Sequence, residues 1–117
     1  MWQAESFDPA TIDRELGWAA QIGFSVMRVY LHDLVWPEDR EGFLNRMEKF
    51  LGIAAKHDIK VLFTIFDDCW ICECRRGPQA PPVPGRHNSR WVESPGLAAV
   101  KRFPTDSALQ GRLKDYV

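Results

Sequence analysis

The sequence predicts an α/β fold with parallel strands, the early part of a (β/α)₈ barrel. Three observations carry this. Helical and strand-like stretches alternate as helix, strand, helix, strand, long loop, helix. The two strands start near Ser25 and Ile59, one repeat of about 34 residues, and units of that size imply parallel strands with crossover connections. The second strand, "IKVLFTIF", is apolar on both faces, as covered parallel strands are. A whole barrel needs about 250 residues. The 117 residues are therefore expected to be the N-terminal portion of a single barrel domain, its first two to three strand-helix units. A doubly wound α/β sheet is the alternative. The absence of a G-x-G-x-x-G loop weakens a nucleotide-binding version of it.

Each element has its own local signals. "FDPATIDRELGWAAQIG" reads as a helix capped by Asp8, with Pro9 at its first position. Ile12, Leu16, Ala19 and Ala20 share one face, and Gly23 fits the left-handed position past the end. "SVMRVYLH" follows as a strand. Met27, Val29 and Leu31 form an apolar face, while Val26, Arg28, Tyr30 and His32 grow more polar toward the C-terminal end. A second helix begins near Pro37 to Asp39, with Phe43, Met47, Phe50, Leu51 and Ala54 as its stripe. Asp58 ends it where glycine is common, because Asp tolerates the left-handed region. Residues 67–104 hold most of the prolines and no periodicity, and so long a connection is usually functional or disordered. "TDSALQGRLKDYV" is a third helix, capped by Thr105 or Asp106.

The second strand ends on "IFDDCW", which raises the question of function. An unpaired charge is costly in a core, yet Asp67 and Asp68 sit at the tip of a buried strand. In both candidate architectures ligands gather at the C-terminal strand ends. Asp67, Asp68 and Trp70 lie at one such end, and Tyr30, His32 and Asp33 at its neighbour. Adjacent strand residues point opposite ways. Thr64 marks the Leu62, Thr64, Phe66 face as the inward one, which favours Asp68 over Asp67 as the inward carboxylate. Both aspartates could equally pin the long loop through its backbone amides.

Composition narrows the classes. The chain has 15 basic and 16 acidic residues, a net charge of −1. No basic block argues for nucleic acid or an anionic membrane. No apolar run approaches the roughly 20 residues of a membrane span, and no apolar leader follows Met1. Cys69, Cys72 and Cys74 with His87 have the ligand count of a Cys₃His zinc site. The Cys-x-Cys spacing is tight, however, and a second ligand pair is missing. Reduced loop thiols are the first expectation, or one disulfide in a secreted or periplasmic parent.

The segments "GFSVMRVYLHD", "FDDCW" and "HNSRWVESPG" together resemble the N-terminal part of a clan A glycoside hydrolase, family 5-like, of the cellulase or β-mannanase kind. The resemblance spans Trp2 to about Gly96, and "G-F-x-x-x-R-V" at residues 23–29 is its most recognisable piece. It implies that this is the second barrel strand and that residues 67–104 form the long loop after the third. It implies that Arg28 hydrogen-bonds the catalytic nucleophile. A retaining glycosidase uses two carboxylates about 5 Å apart, one as nucleophile and one as acid then base. The resemblance places two such glutamates at later strand ends, downstream of Val117. The chain alone is then expected to be inactive, as part of an enzyme that cleaves β-linked polysaccharide or glycosides without a cofactor. Its partners are expected to be the carbohydrate substrate and the remainder of the barrel.

Substrate contacts are expected from Arg28, His32, Asp67, Asp68, Trp70, His87, Asn88, Trp91 and Trp2. Tryptophan planes suit the C–H faces of sugars, but they also pack loops, and for each tryptophan packing is the first expectation. His87 and Asn88 suit sugar hydroxyls and equally suit bonds within the loop. Two rival functions remain: a carbohydrate-binding barrel without the acids, and a small metal-binding α/β protein built on the three cysteines and His87.

Overall fold

The computed structural model describes residues 1–67, 74–81, 83–87, 89 and 92–117. The chain is a mixed α/β protein of four α-helices and one two-stranded parallel sheet among these residues. After a 3₁₀ turn at Ala4–Ser6, α1 runs Pro9–Gln21 and β1 Val26–Tyr30. Then come α2 (Arg40–Lys56), β2 (Lys60–Thr64), α3 (Leu97–Arg102) and α4 (Ser107–Tyr116).

The helix ends follow their sequence signals. The Asp8 carboxylate accepts from the backbone N–H groups of Ala10 and Thr11, and Pro9 opens α1. Asp39 caps α2 through the N–H of Gly42, and Asp106 caps α4 through that of Leu109. Gly23 and Asp58 both take positive φ, at 93° and 56°. They turn the chain out of α1 and α2 and into the strands.

β1 and β2 pair in parallel from Val26 opposite Lys60 to Tyr30 opposite Thr64. This register puts Met27, Val29, Val61 and Phe63 on one face and Val26, Arg28, Leu62 and Thr64 on the other. The first face is covered. Val29, Leu31 and Ile59 join Ile12 and Leu16 of α1 and Phe43, Phe50 and Ala54 of α2 in one core. The second face is open, with Val26 55% and Leu62 59% exposed. The helices therefore cover one side of the sheet only. Phe24, Ile65 and Phe66 extend the exposed apolar surface beyond the strands.

Trp2 stands at the centre of the core. Its ring meets Phe7, Phe43, Phe50 and Phe63 at centroid distances of 6.2, 5.8, 5.6 and 6.0 Å. Its indole N–H donates to the Tyr30 carbonyl at 2.6 Å, and Arg46 Nε donates to its own carbonyl at 2.7 Å. The N-terminal segment is thus fastened across the strand end rather than left as a tail.

The structure adds a helix that the sequence reading passed over. α3 lies within the loop read as aperiodic. Ala98 and Ala99 favour helix, Lys101 and Arg102 suit its last turn, and Pro104 follows its end. Gly96 offers no capping side chain, so Glu93 reaches back and accepts from the Leu97 N–H at 3.3 Å.

Candidate functional site at the strand ends

The C-terminal ends of β1 and β2 are tied to the long loop and to α4 by polar contacts. Just past β1, Asp33 is fully buried. Its carboxylate accepts from the Ser94 hydroxyl at 2.8 Å and from the Arg112 guanidinium of α4. Its own backbone N–H donates to Ser94 Oγ at 3.0 Å. A buried charge is tolerated only when paired and hydrogen-bonded, and Asp33 is both.

Asp67, just past β2, forms an antiparallel bridge with Ser94. Its N–H donates to the Ser94 carbonyl at 2.6 Å, and Ser94 N–H donates back at 3.0 Å. One loop residue, Ser94, therefore joins both strand ends. Glu93 beside it is buried with 1% exposure, and its carbonyl accepts from the Cys74 thiol at 2.6 Å. Gly96 takes φ 86°, and a Cβ there would lie 2.5 Å from Cys74 Sγ. Glycine is required at that close approach.

His32 is half-buried between Asp33 and the loop. Its Nδ1 accepts from the Leu34 N–H at 3.3 Å, which leaves the proton of the neutral ring on Nε2. Burial lowers its pKa from the ordinary value, opposed by the Asp33 carboxylate and the Glu93 backbone. Asp33 and Glu93 are committed to structural bonds, so the described strand ends present a histidine and cations rather than a free acid-base carboxylate. The arrangement suits binding and positioning.

α4 closes over this end through its side chains. Asp115 accepts from the Trp36 indole N–H at 2.9 Å and from Arg40. The Tyr116 hydroxyl donates to the Ile65 carbonyl at 3.3 Å, and its ring meets Phe66 at 5.6 Å. Burial, then the charge of Asp33, raises the Tyr116 phenol far above its usual range.

A cavity of about 180 Å³ opens here, its walls including Tyr30, His32, Arg75, Arg76 and Gln79. A second, of about 620 Å³, continues past Leu34 and Arg75 to Pro95, Lys101 and Arg102. Gln3 forms one wall of the first. Its side chain donates to the Gly77 carbonyl at 3.0 Å and accepts from the Gly77 N–H at 2.8 Å, fixing the loop that carries the arginines.

The sequence-predicted residues divide as follows. His32 lines the first cavity. Arg28 lies exposed on the open sheet face, its guanidinium 5.0 Å from the Tyr30 ring centroid. Asp67 serves the loop bridge through its backbone. Trp2 corrects its expectation as a sugar platform: it is 4% exposed, with its ring held among four phenylalanines. His87 is exposed. Asp68, Trp70, Asn88 and Trp91 lie outside the described residues, as do Cys69 and Cys72. Among the described residues no cluster of three metal-ligating side chains occurs. No described helix is long and apolar enough to cross a membrane.

Sequence reasoning missed Ser94, Glu93 and Arg112, and with them the cationic loop. Ser94 and Arg112 meet Asp33 across 61 and 79 residues, a separation that leaves no local signal. The arginine pair at 75–76 was legible as a charge feature beside a site but was not weighed. Comparison of the chain with protein-family models, curated proteins and solved structures returned no match.

Proposed function

We propose that this chain is the opening portion of a (β/α)₈ glycoside hydrolase that cleaves β-linked glycosides with retention, its two catalytic glutamates supplied by later strands. The observation that carries the reading is Arg28. It stands on the sheet face turned away from the helices, beside exposed Val26 and Leu62. In a closed barrel that face is the packed interior, and its polar residues near the C-terminal end meet the site. A guanidinium there has a clear task. Charge-assisted bonds orient a carboxylate and keep it ionised, as a nucleophile requires. The resemblance of "G-F-x-x-x-R-V" to the second strand of family 5-like enzymes assigns Arg28 that same task.

The test starts with the coding sequence downstream of Val117. Further strand-helix units are expected, with an Asn-Glu pair at one strand end and a second Glu at a later one. The full-length protein should then release β-anomeric product from β-1,4-glucan or mannan, followed by NMR. Arg28→Lys should lower kcat by about 100-fold, since one donor to a developing charge carries that order of effect. A stop codon directly after Val117, or a barrel without strand-end glutamates, overturns the catalytic reading. The second of these outcomes would leave a carbohydrate-binding barrel.

A further inference from the structure

The two cavities at the strand ends form one cleft, because both are lined by Leu34 and Arg75. Its charge is one-sided. His32, Arg75, Arg76, Lys101 and Arg102 line it, and no carboxylate does so among the described residues. Residues 74–102 carry Arg75, Arg76, Arg86, Arg90, Lys101 and Arg102 against one acid, Glu93. Glu93 is buried beneath the start of α3, with its carboxylate turned to the Leu97 N–H. In a chain of net charge −1 this segment is an island of positive charge.

Two of the cations are already engaged. Arg76 pairs with Glu38, and Arg102 lies 3.9 Å from Asp106. Arg75 and Lys101 have no ion pair among the described residues. Arg75 is the residue common to both cavities, so an anionic group bound there would touch both halves of the cleft. The floor is apolar, formed by Leu34, Val35, Val92, Pro95 and Leu97. A cleft with an apolar floor and a cationic rim fits a ligand with flat, weakly polar faces and negative charge at its edge.

We infer that this cleft binds an acidic saccharide, a β-linked chain bearing carboxylates of the uronate type. The inference rests on the glycosidase reading for its saccharide and on the cationic cleft for its charge. Arg75 would form the bidentate carboxylate contact that a guanidinium fork favours, with Lys101 as a point charge further along. The neutral His32 ring adds a hydrogen-bonding group at the inner end.

The test is calorimetric titration of the chain with a β-1,4-linked oligouronate, its methyl ester, and a neutral β-1,4 oligosaccharide of equal length. The free acid is expected to bind at least about 10-fold more tightly than the ester, an advantage that shrinks between about 20 and about 200 mM salt. Arg75→Gln and Lys101→Gln should each weaken acid binding about 3-fold to 10-fold and leave ester binding unchanged. Both side chains are exposed, and circular dichroism verifies that the variants keep their fold. Equal binding of acid and ester, with the neutral sugar also bound, overturns the acidic preference and leaves the glycosidase reading standing. Binding of inorganic polyphosphate but of no saccharide overturns both for this cleft. Absence of binding by all four ligands overturns the inference as well.

Discussion

Asp33 shows how a single residue can hold a site together. It carries a buried negative charge, and its two partners come from the loop and from α4. Removing the partner strands the charge. Arg112→Met should therefore cost about 3 kcal/mol in a urea melt, because an unpaired buried charge is worse than a missing pair. Asp33→Asn still offers the Ser94 hydroxyl an acceptor and leaves Arg112 with partial access to water, so it should cost less. The reverse order would show that Arg112 is a solvated surface cation. His32 beside it gives a pH signature. Its folded-state pKa lies below the unfolded value of 6.5, chiefly through burial. As pH falls below that value the unfolded chain takes up the proton first. Stability is then full above about pH 6.5 and declines as pH falls through the folded pKa. His32→Gln should flatten that decline in urea midpoints measured from pH 7.5 to 5, and an unchanged slope would assign it to other groups. Tyr116 behaves oppositely. Its raised pKa means stability is kept below about pH 10 and lost above it as the unfolded phenol ionises.

At the scale of elements, what the sequence disclosed and what it concealed differ by distance along the chain. Asp8, Gly23, Asp58 and Asp106 act on backbone groups within a few positions, so their roles are readable from neighbours alone. The strands were readable from "VMRVY" and "KVLFT" because burial on one face leaves a period in the sequence. Trp2 was not, since a tryptophan seals a core or faces a sugar with the same side chain. Only the ring positions of Phe43, Phe50 and Phe63 decide between them. α3 escaped because six residues span too few turns to establish a period, and its cap comes from Glu93, outside the helix. Two substitutions probe these elements. Trp2→Ala should cost about 3–5 kcal/mol, in the range of large core truncations. Gly96→Ala should cost about 2 kcal/mol through its positive φ and the nearby Cys74 sulfur. If Gly96→Ala melts like the parent protein, the α3 turn is more adaptable than its geometry indicates.

At the scale of the whole molecule, the sheet is the decisive feature. Two strands with helices on one side leave Val26 and Leu62 facing water, with Phe24, Ile65 and Phe66 around them. Exposed apolar surface and open strand edges favour association. Sedimentation of the isolated chain should show mass rising with concentration. Val26→Lys with Leu62→Lys should reverse it, because charge on that face opposes stacking. A monomer at all concentrations would indicate that the face is tolerated in water and would weaken the barrel reading that depends on its being covered.

The bridge between Asp67 and Ser94 has one more consequence, for how such a protein can change. It fastens both ends of the long excursion to the strand tips, so the chain between them is closed at its root. Lengthening a loop with fixed ends adds only about 0.6 kcal/mol per doubling. The wall that carries Arg75 can therefore be rewritten in length and charge at small cost to the framework, as an exchangeable cassette on a fixed socket. Ligand preference in this architecture can drift while Asp33, Ser94 and Arg112 stay as they are.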